Sequence, residues 1–482
     1  MTIQAFLDAV GNIKSVVLAD QKSEVTGEEF LKEVLSASQE LIDSGFKAGT
    51  SCLVRLSNNV ASVVMLFSVL KAGGVVFVGN PHDPIAKCDG IIKKFGIGAF
   101  FGDKPSVLAL QASLGEGVRV ERLQTGKLAA GFCPHFSRTL ANQDERMANV
   151  NIAVFSSGST GEPKAILHNV SSVLKNAKKH ADAIGLRSTD TIAGFLPIYY
   201  SYGLVANLMG SLAAGAKFVF LGNASGLTEE WANEQKISVL SLTPWFAMQL
   251  NMNVPSLRVM TFGGDAMFGH IARELQQRFP QCELYSTYGL TEAGPRVATW
   301  RFDNRVVPDS EIVPLGEALP GCELIIDNHD VEGEYGELLV RTDTRMLGYY
   351  YGVEQGYFMP DWQENMVHTE DLFNVVDGEL FFVSRAKEMI VQNGEKIFPS
   401  SVESVLRRIN GVVDANVRGV RCETRGQIAK AFIKTSIDID ISEVRRALLD
   451  KLPQSAIPSE YVFVDEIPRT ATGKKSASAV YQ

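Results

Sequence analysis

Long apolar runs, patterned cysteines and an excess of positive charge are all missing from this sequence. The longest apolar stretch, ASVVMLFSVL at 61–70, is stopped by Lys71, Gly73 and Gly74. That is well short of the ~20 residues a bilayer crossing needs, so no membrane span is expected. The opening MTIQAFLDAVGNIKSVV has no basic segment leading into an apolar core, and no secretory signal is expected. The six cysteines stand at 52, 88, 133, 282, 322 and 422 without CxxC spacing, and the seven histidines form no HExxH. This disfavours a disulfide framework and a zinc site, and points to a reducing, cytoplasmic compartment. Acidic residues outnumber basic ones 55 to 46, giving a net charge of -9. A nucleic-acid partner wants a basic surface and is not expected. An anionic substrate would need a local group of cations.

What is present is an α/β pattern long enough, at 482 residues, for several units. TGEE at 26–29 reads as a capping box. It precedes a helix with Phe30, Leu31, Val34, Leu35, Leu41 and Ile42 on one face and Gly45 at its C-terminal cap. Between 190 and 286 the β-rich runs KFVFL, VLSL, LRVMTF and ELYS alternate with helix-length segments, the mark of βαβ units and a largely parallel sheet. After about 297 strand-like runs such as CELIID and GELLVRT take over, and VVDGELFFV reads as a hairpin around Asp377 and Gly378. The end of the chain is a separate small α/β pattern, with the main boundary near residues 384–387.

The stretch SSGSTGEPK at 156–164 has the composition of a phosphate cradle. Gly158 and Gly161 let backbone N–H groups approach an anion, Ser156, Ser157, Ser159 and Thr160 add hydroxyls, and Lys164 adds a cation. It is not a Walker loop, because Pro163 precedes the lysine and no Ser or Thr follows it. An ordinary Ser/Gly surface loop is the competing reading. STYGLTEAG at 286–294 follows a strand, where ligands meet an open α/β sheet. There Tyr288 is placed to stack on a base, Thr291 to touch a phosphate and Glu292 to hold magnesium. HTEDLF at 368–373 offers Asp371 to a ribose, and PRTATGKK at 468–475 puts Lys474 after a glycine. Each also has a bland reading: Tyr288 as core, Asp371 as a turn residue, Lys474 as a solvated tail. A kinase or a non-catalytic nucleotide-binding module is the rival class, but neither a Walker ending nor a catalytic Asp–Asn loop is found.

These motifs, in this order, resemble the adenylate-forming enzymes: acyl-CoA synthetases, aryl-acid ligases, peptide-synthetase adenylation domains and luciferase. The resemblance spans nearly the whole chain. It implies a large N-terminal AMP-binding domain, 1–384, of mixed, largely parallel sheets with a small β-barrel-like subdomain at about 297–384. A small mobile α+β lid domain, 385–482, would follow. The implied reaction joins a carboxylic acid to ATP, forms an acyl-AMP with pyrophosphate release, and transfers the acyl group to a thiol. In that scheme Ser156 to Gly161 and Lys164 hold phosphates, Glu292 holds Mg²⁺ and Thr291 contacts the α-phosphate. Gly263, Gly264 and Asp265 border the adenine, with Tyr288 and Gly289 across it, and Asp371 and Arg385 take the ribose. Lys474 bridges carboxylate and phosphate, and Lys387 is the hinge about which the lid turns.

The sequence departs from the family pattern in places. Glu370 stands where the family's TGD has glycine, and Ser384-Arg385 replaces GR. Val391 and Asn393 replace a frequent lysine and a frequent glycine near the thiol acceptor. Coenzyme A is the leading acceptor, with the phosphopantetheine arm of an acyl carrier protein as competitor. The acid pocket is expected around Tyr199, Tyr200, Gly203, Trp245, Phe262 and Tyr285, with Tyr202 nearby. Tyr200 is uncharged at neutral pH where amino-acid-activating relatives have aspartate, so the acid is expected to be aryl or short and not an α-amino acid. Arg296, just past TEAGP, is read as a surface arginine, with contact to a polar group of the acid as the alternative.

Overall fold

The computed structural model describes residues 1–114, 119–122, 129–132, 144–156, 163–222, 224–302, 312–327, 335–360, 366–392, 395–422, 426–470, 473 and 475. Two nine-stranded sheets carry most of the chain. In the first, Glu283–Tyr288, Val259–Gly263, Val239–Leu242, Thr191–Gly194, Lys217–Phe220 and Val16–Ala19 are successive parallel neighbours. Four of these are the β-rich runs expected between 190 and 286; Thr191–Gly194 and, from far upstream, Val16–Ala19 join them. In the second, Ile152–Phe155, Val75–Gly79, Ser51–Arg55 and Ala99–Gly102 are parallel, and antiparallel strands extend both edges.

The apolar run at 61–70 lies between these sheets as helix Val60–Lys71, whose Val60, Val63, Val64, Leu66 and Phe67 are all buried. It shares one core with Cys52, Val54 and Val76 of the second sheet and Leu18, Phe218 and Val239 of the first. An apolar helix is stable in water when it is covered on every side. Each such side chain contributes about 1.5–3 kcal/mol by leaving solvent. Among the described residues no helix is long and apolar enough to cross a membrane.

Helix Gly27–Asp43 forms with its capping box intact: the Glu29 N–H donates to Thr26 Oγ1 (3.2 Å), and the Thr26 N–H donates to Glu29 Oε2 (2.9 Å). Its buried stripe is Phe30, Val34, Ala37 and Leu41. Leu35 and Ile42, expected on that face, are exposed. At about 100° per residue they fall well off the axis of the i, i+4, i+7, i+11 row.

The expected barrel-like subdomain takes the form of a four-stranded antiparallel sheet, in the order Cys322–Asp327, Gly336–Thr342, Met366–Val376, Glu379–Arg385. Its last turn has φ of 52° at Asp377 and 83° at Gly378, as a two-residue hairpin turn of type I′ requires. Past Arg385 the chain enters a five-stranded sheet with helices Pro399–Leu406 and Ile441–Leu449 packed on it.

That last unit meets the large one through buried charge. Asp414, 1% exposed, accepts from Arg407 Nε (3.2 Å) and pairs with Arg469. Glu403 accepts from the Val417 N–H (2.8 Å) and pairs with Arg407 (3.3 Å) and Lys475. Two of these cations lie on aromatic faces of the large unit, Arg469 at 4.0 Å over Trp245 and Arg407 at 5.6 Å over Phe268. Removing the shared anion leaves cations buried without compensation. Asp414→Ala is therefore expected to destabilise the protein by about 3–5 kcal/mol, seen as a lower midpoint in urea unfolding. An unchanged midpoint would refute the network's structural role.

Candidate active site

The site forms where strands of the first sheet end. Gly263 pairs with Thr287 across parallel strands Val259–Gly263 and Glu283–Tyr288, so GGD (263–265) and TYG (287–289) emerge side by side at the carboxyl ends of their strands. Open α/β sheets receive ligands there. A Cβ on Gly263 would lie 2.7 Å from Thr287 Oγ1, and one on Gly289 would lie 1.9 Å from the Pro295 carbonyl oxygen. Only glycine allows these approaches. Gly264, Asp265, Thr287, Tyr288 and Gly289 border a cavity of about 520 Å³. From the last unit, Glu403, Arg407 and Lys475 close it.

At Thr291 and Glu292 separate segments converge. Ser201 Oγ and Thr291 Oγ1 are 2.9 Å apart, which brings the LPIYYSYGL segment against the TE motif. Tyr349 Oη donates to Glu292 Oε1 (3.1 Å). Lys164 Nζ lies 3.6 Å from the centroid of the same Tyr349 ring, so the cation at the end of the 156–164 loop and the carboxylate share one tyrosine. Burial, and Glu292 next to it, raise the Tyr349 phenol's pKa, keeping it a hydrogen-bond donor. The loop's base is a strand pair in which the Ser156 N–H donates to the Lys164 carbonyl (3.0 Å). Ser157, Gly158, Ser159, Thr160 and Gly161 lie outside the described residues. His168, fully buried beneath the site, bonds the backbone of Thr291, and burial pushes it down to about 4.

On the far side of the cavity Asp371, 4% exposed, accepts from Tyr288 Oη (2.7 Å) and from Arg385 Nε (3.1 Å). Burial raises its pKa against the pull of Arg385 and Tyr288. Each carboxylate oxygen keeps a lone pair for a further donor. Glu370, which replaces the family's glycine, has φ of 58°. That left-handed conformation explains why glycine suits the position. Its carboxylate stands 3.5 Å from Lys387 Nζ, an exposed pair at the expected hinge.

The residues expected around the acid are not all together. Tyr199 and Tyr200 pack on each other (centroids 4.6 Å apart), with His82 on Tyr199. Gly203 is pressed to the chain, since a Cβ would lie 2.3 Å from the Pro197 carbonyl oxygen. Phe262 is a core residue on Phe302, and Tyr285 turns its hydroxyl to Glu283 (2.7 Å). Neither borders the cavity. Trp245 does, but its face carries Arg469. Tyr288 sits edge-on to Phe373. Lys474 lies outside the described residues. Its neighbour Gly473 packs on the large unit, where a Cβ would meet Thr243 Oγ1 at 2.8 Å.

Arg296, expected at the surface, is buried. The turn after TEAG folds it under strand Glu283–Tyr288, where its Nη1 donates to Thr287 Oγ1 (3.0 Å). Its backbone is clamped by Asn176, which accepts from the Arg296 N–H (2.9 Å) and donates to its carbonyl (2.8 Å). Tyr349 and Arg296 are the residues the sequence reading missed. Tyr349 sits in no motif, and only a contact 57 residues away in sequence gives it a role. For Arg296 the signal was its place directly after a site motif.

For a metal, the described residues hold no cluster of three or more His, Cys, Asp or Glu. Glu292 alone suits Mg²⁺, which keeps waters and binds through one or two carboxylates plus substrate phosphates.

A largely parallel sheet with glycines at its strand ends, a buried carboxylate at Asp371, and Lys164 and Glu292 on one tyrosine make up the candidate site of an α/β enzyme. The chain belongs to the AMP-binding enzyme family: the family's main domain matches residues 8–350, and the AMP-binding enzyme C-terminal domain matches 401–474. Naringenin synthase of Pestalotiopsis fici is 24% identical over 496 residues, covering 95% of this chain and 18% of that protein. The chain thus spans under a fifth of that relative. The 2-succinylbenzoate–CoA ligase of Bacillus licheniformis is 24% identical over 473 residues, with 95% of each covered. In fold, ATP-bound MatB from Rhodopseudomonas palustris superposes with a TM-score of 0.82 at 20% identity, covering 98% of this chain and 97% of that one.

The histidines under the site make stability depend on pH. Burial holds His180 down to about 3 and His168 to about 4, against an ordinary value near 6.5. As pH falls below that value the unfolded chain takes up protons that the folded chain refuses. Each histidine therefore removes about 1.4 kcal/mol per pH unit, down to about 4 for His168 and about 3 for His180. His180→Leu should reduce the slope of stability between pH 6.5 and 5 by about 1 kcal/mol per pH unit in denaturant titrations at stepped pH. An unaltered slope would rule His180 out as a source.

Proposed function

We propose that the protein activates a compact carboxylic acid as its acyl-AMP, with release of pyrophosphate, and passes the acyl group to the thiol of coenzyme A. The observation that carries this is the meeting of Lys164, Tyr349, Glu292, Thr291 and Ser201 at one point. Joining a carboxylate to a triphosphate brings anions together, so a site for it needs cations and preorganised donors. Lys164 and the loop before it are the phosphate contacts in this reading. Thr291 orients the reacting phosphate, and Asp371 with Arg385 takes the ribose hydroxyls. Gly263, Gly264 and Asp265 border the base. Mg²⁺, when bound at Glu292, would neutralise phosphate charge.

The acid side carries tyrosines at 199, 200 and 202, whose aromatic faces favour an aryl or short acid. The succinylbenzoate ligase relative acts on an aryl acid and CoA, as its name states. The phosphopantetheine arm of an acyl carrier protein ends in the same thiol and is the second acceptor to try. Among the described residues Cys52, Cys88, Cys282, Cys322 and Cys422 are free thiols, which suits a cytoplasmic setting. Acid-dependent exchange of labelled pyrophosphate into ATP tests the first half. ADP release in its place would identify a kinase, and binding without turnover a module.

In the same reading, two lysines divide the two halves of the reaction. Lys474 acts on the charge that gathers as the acyl–phosphate bond forms, and removing one such contact typically costs ~10²–10³ in rate. Lys474→Ala should lose most pyrophosphate exchange yet still convert supplied acyl-AMP to thioester. Lys387, at the hinge, acts through backbone freedom. Lys387→Pro, which fixes φ and restricts the residue before it, should keep exchange and lose thioester formation. Equal loss of both half-reactions in both variants would refute the two-state rotation.

A further inference from the structure

We propose that Arg296 receives a second anionic group at the far end of the acid, so that the substrate is a dicarboxylic acid. This deepens the adenylation reading and rests on it. Arg296 is 4% exposed. Its guanidinium carbon lies 4.2 Å over the Tyr202 ring, its Nη1 donates to Thr287 Oγ1 at 3.0 Å, and its Nε is buried with no acceptor. Among the described residues no carboxylate pairs with it. Beside it, His180 is fully buried with both ring nitrogens unpartnered. Asn207, on the same π-helical segment Tyr202–Met209 as Tyr202, has a buried Nδ2 without a partner.

A guanidinium taken out of water costs several kcal/mol unless an anion meets it. Buried polar groups without partners are few in folded proteins. Here Arg296 Nε–H and Asn207 Nδ2–H₂ are spare donors, and a neutral His180 carries one more N–H. The missing component is therefore an acceptor. A carboxylate is acceptor-only, and its geometry matches the guanidinium fork.

The position suits a substrate. Thr287 borders the cavity, and its hydroxyl touches Tyr202 Oη (3.3 Å) as well as Arg296 Nη1. Tyr202 is held further by Thr261 (3.0 Å), and a Cβ on Gly263 would lie 2.9 Å from the Tyr202 ring. Arg296 thus stands one side chain behind the cavity wall, and Thr287 is four residues upstream of Thr291, where the other carboxylate would react. Tyr202 begins a π-helical stretch, a feature that recurs at functional sites.

The test is pyrophosphate exchange with matched acids: terephthalate against 4-methylbenzoate, and succinate against butyrate. The wild-type enzyme should favour each diacid by about tenfold or more in kcat/KM, because spare buried donors reject an analogue that cannot fill them. Arg296→Met should reverse that order, and Arg296→Lys should restore part of it. The preferred diacid alone should raise the melting temperature of wild type and not of Arg296→Met. A wild-type preference for the monoacids, or a parallel fall for all acids in Arg296→Met, overturns the inference and leaves adenylation standing. Exchange with no acid overturns adenylation itself, and this inference with it. If Arg296→Met does not fold, the wild-type ranking and the Thr287→Val variant decide.

Discussion

The parallel pairing of Gly263 with Thr287 is the contact on which the site depends. It leaves no room for a side chain between the two strand ends, so the backbones that border the cavity run at van der Waals distance. The GGD and TYG segments and the Thr291–Glu292 turn are hung from those two ends. Thr291 and Glu292 follow one strand by a few residues, and Asp265 follows the other. Tyr202 is fixed by hydrogen bonds to Thr261 and Thr287, one residue from each family of contacts. A wider register would detach the phosphate-side groups from the acid side in a single step.

The second constraint is electrostatic and joins the two units. Glu403, Arg407, Asp414, Arg469 and Lys475 form one buried network, and two of its cations cap aromatic rings of the large unit. Cations on aromatic faces contribute about 0.5–2 kcal/mol each depending on desolvation, enough to hold a position and too little to forbid leaving it. The network itself belongs to the last unit, so it travels intact if that unit turns. The ring contacts and the exposed Glu370–Lys387 pair lie between the units, and exposed pairs are worth little.

How much of this was legible in the sequence follows from the range of each signal. The capping box at 26–29, the Asp377-Gly378 turn and the alternating runs between 190 and 286 are local patterns, and they became the expected elements. The site motifs were legible because glycine, lysine and carboxylate spacing serves a local backbone demand. The acid pocket was not. Phe262 and Tyr285 alternate along strands, and the sequence does not say which face of a sheet buried on both sides looks toward the cavity. Tyr349 was invisible because its role depends on a partner 57 residues away, in the turn after strand Glu283–Tyr288. Leu35 and Ile42 show the same limit in a helix, where apolar character was taken for burial.

Arg296 carries the argument one step further. A charged residue in a loop is exposed by default, because burial without a partner is costly. The turn after TEAG overrides that default by threading the chain beneath strand Glu283–Tyr288, with Asn176 holding its backbone. The fold thus spends stability to keep a cation, a neutral histidine and an unpaired amide inside the large unit. Sites where local rules fail without visible compensation are those where a ligand completes the structure. Here donors are in excess: Arg296 Nε–H, Asn207 Nδ2–H₂ and one His180 N–H stand against the single acceptor nitrogen of a neutral His180. A structural role for the arginine would be satisfied by protein groups alone, and an excess of buried donors is what a site built around a bound anion leaves behind.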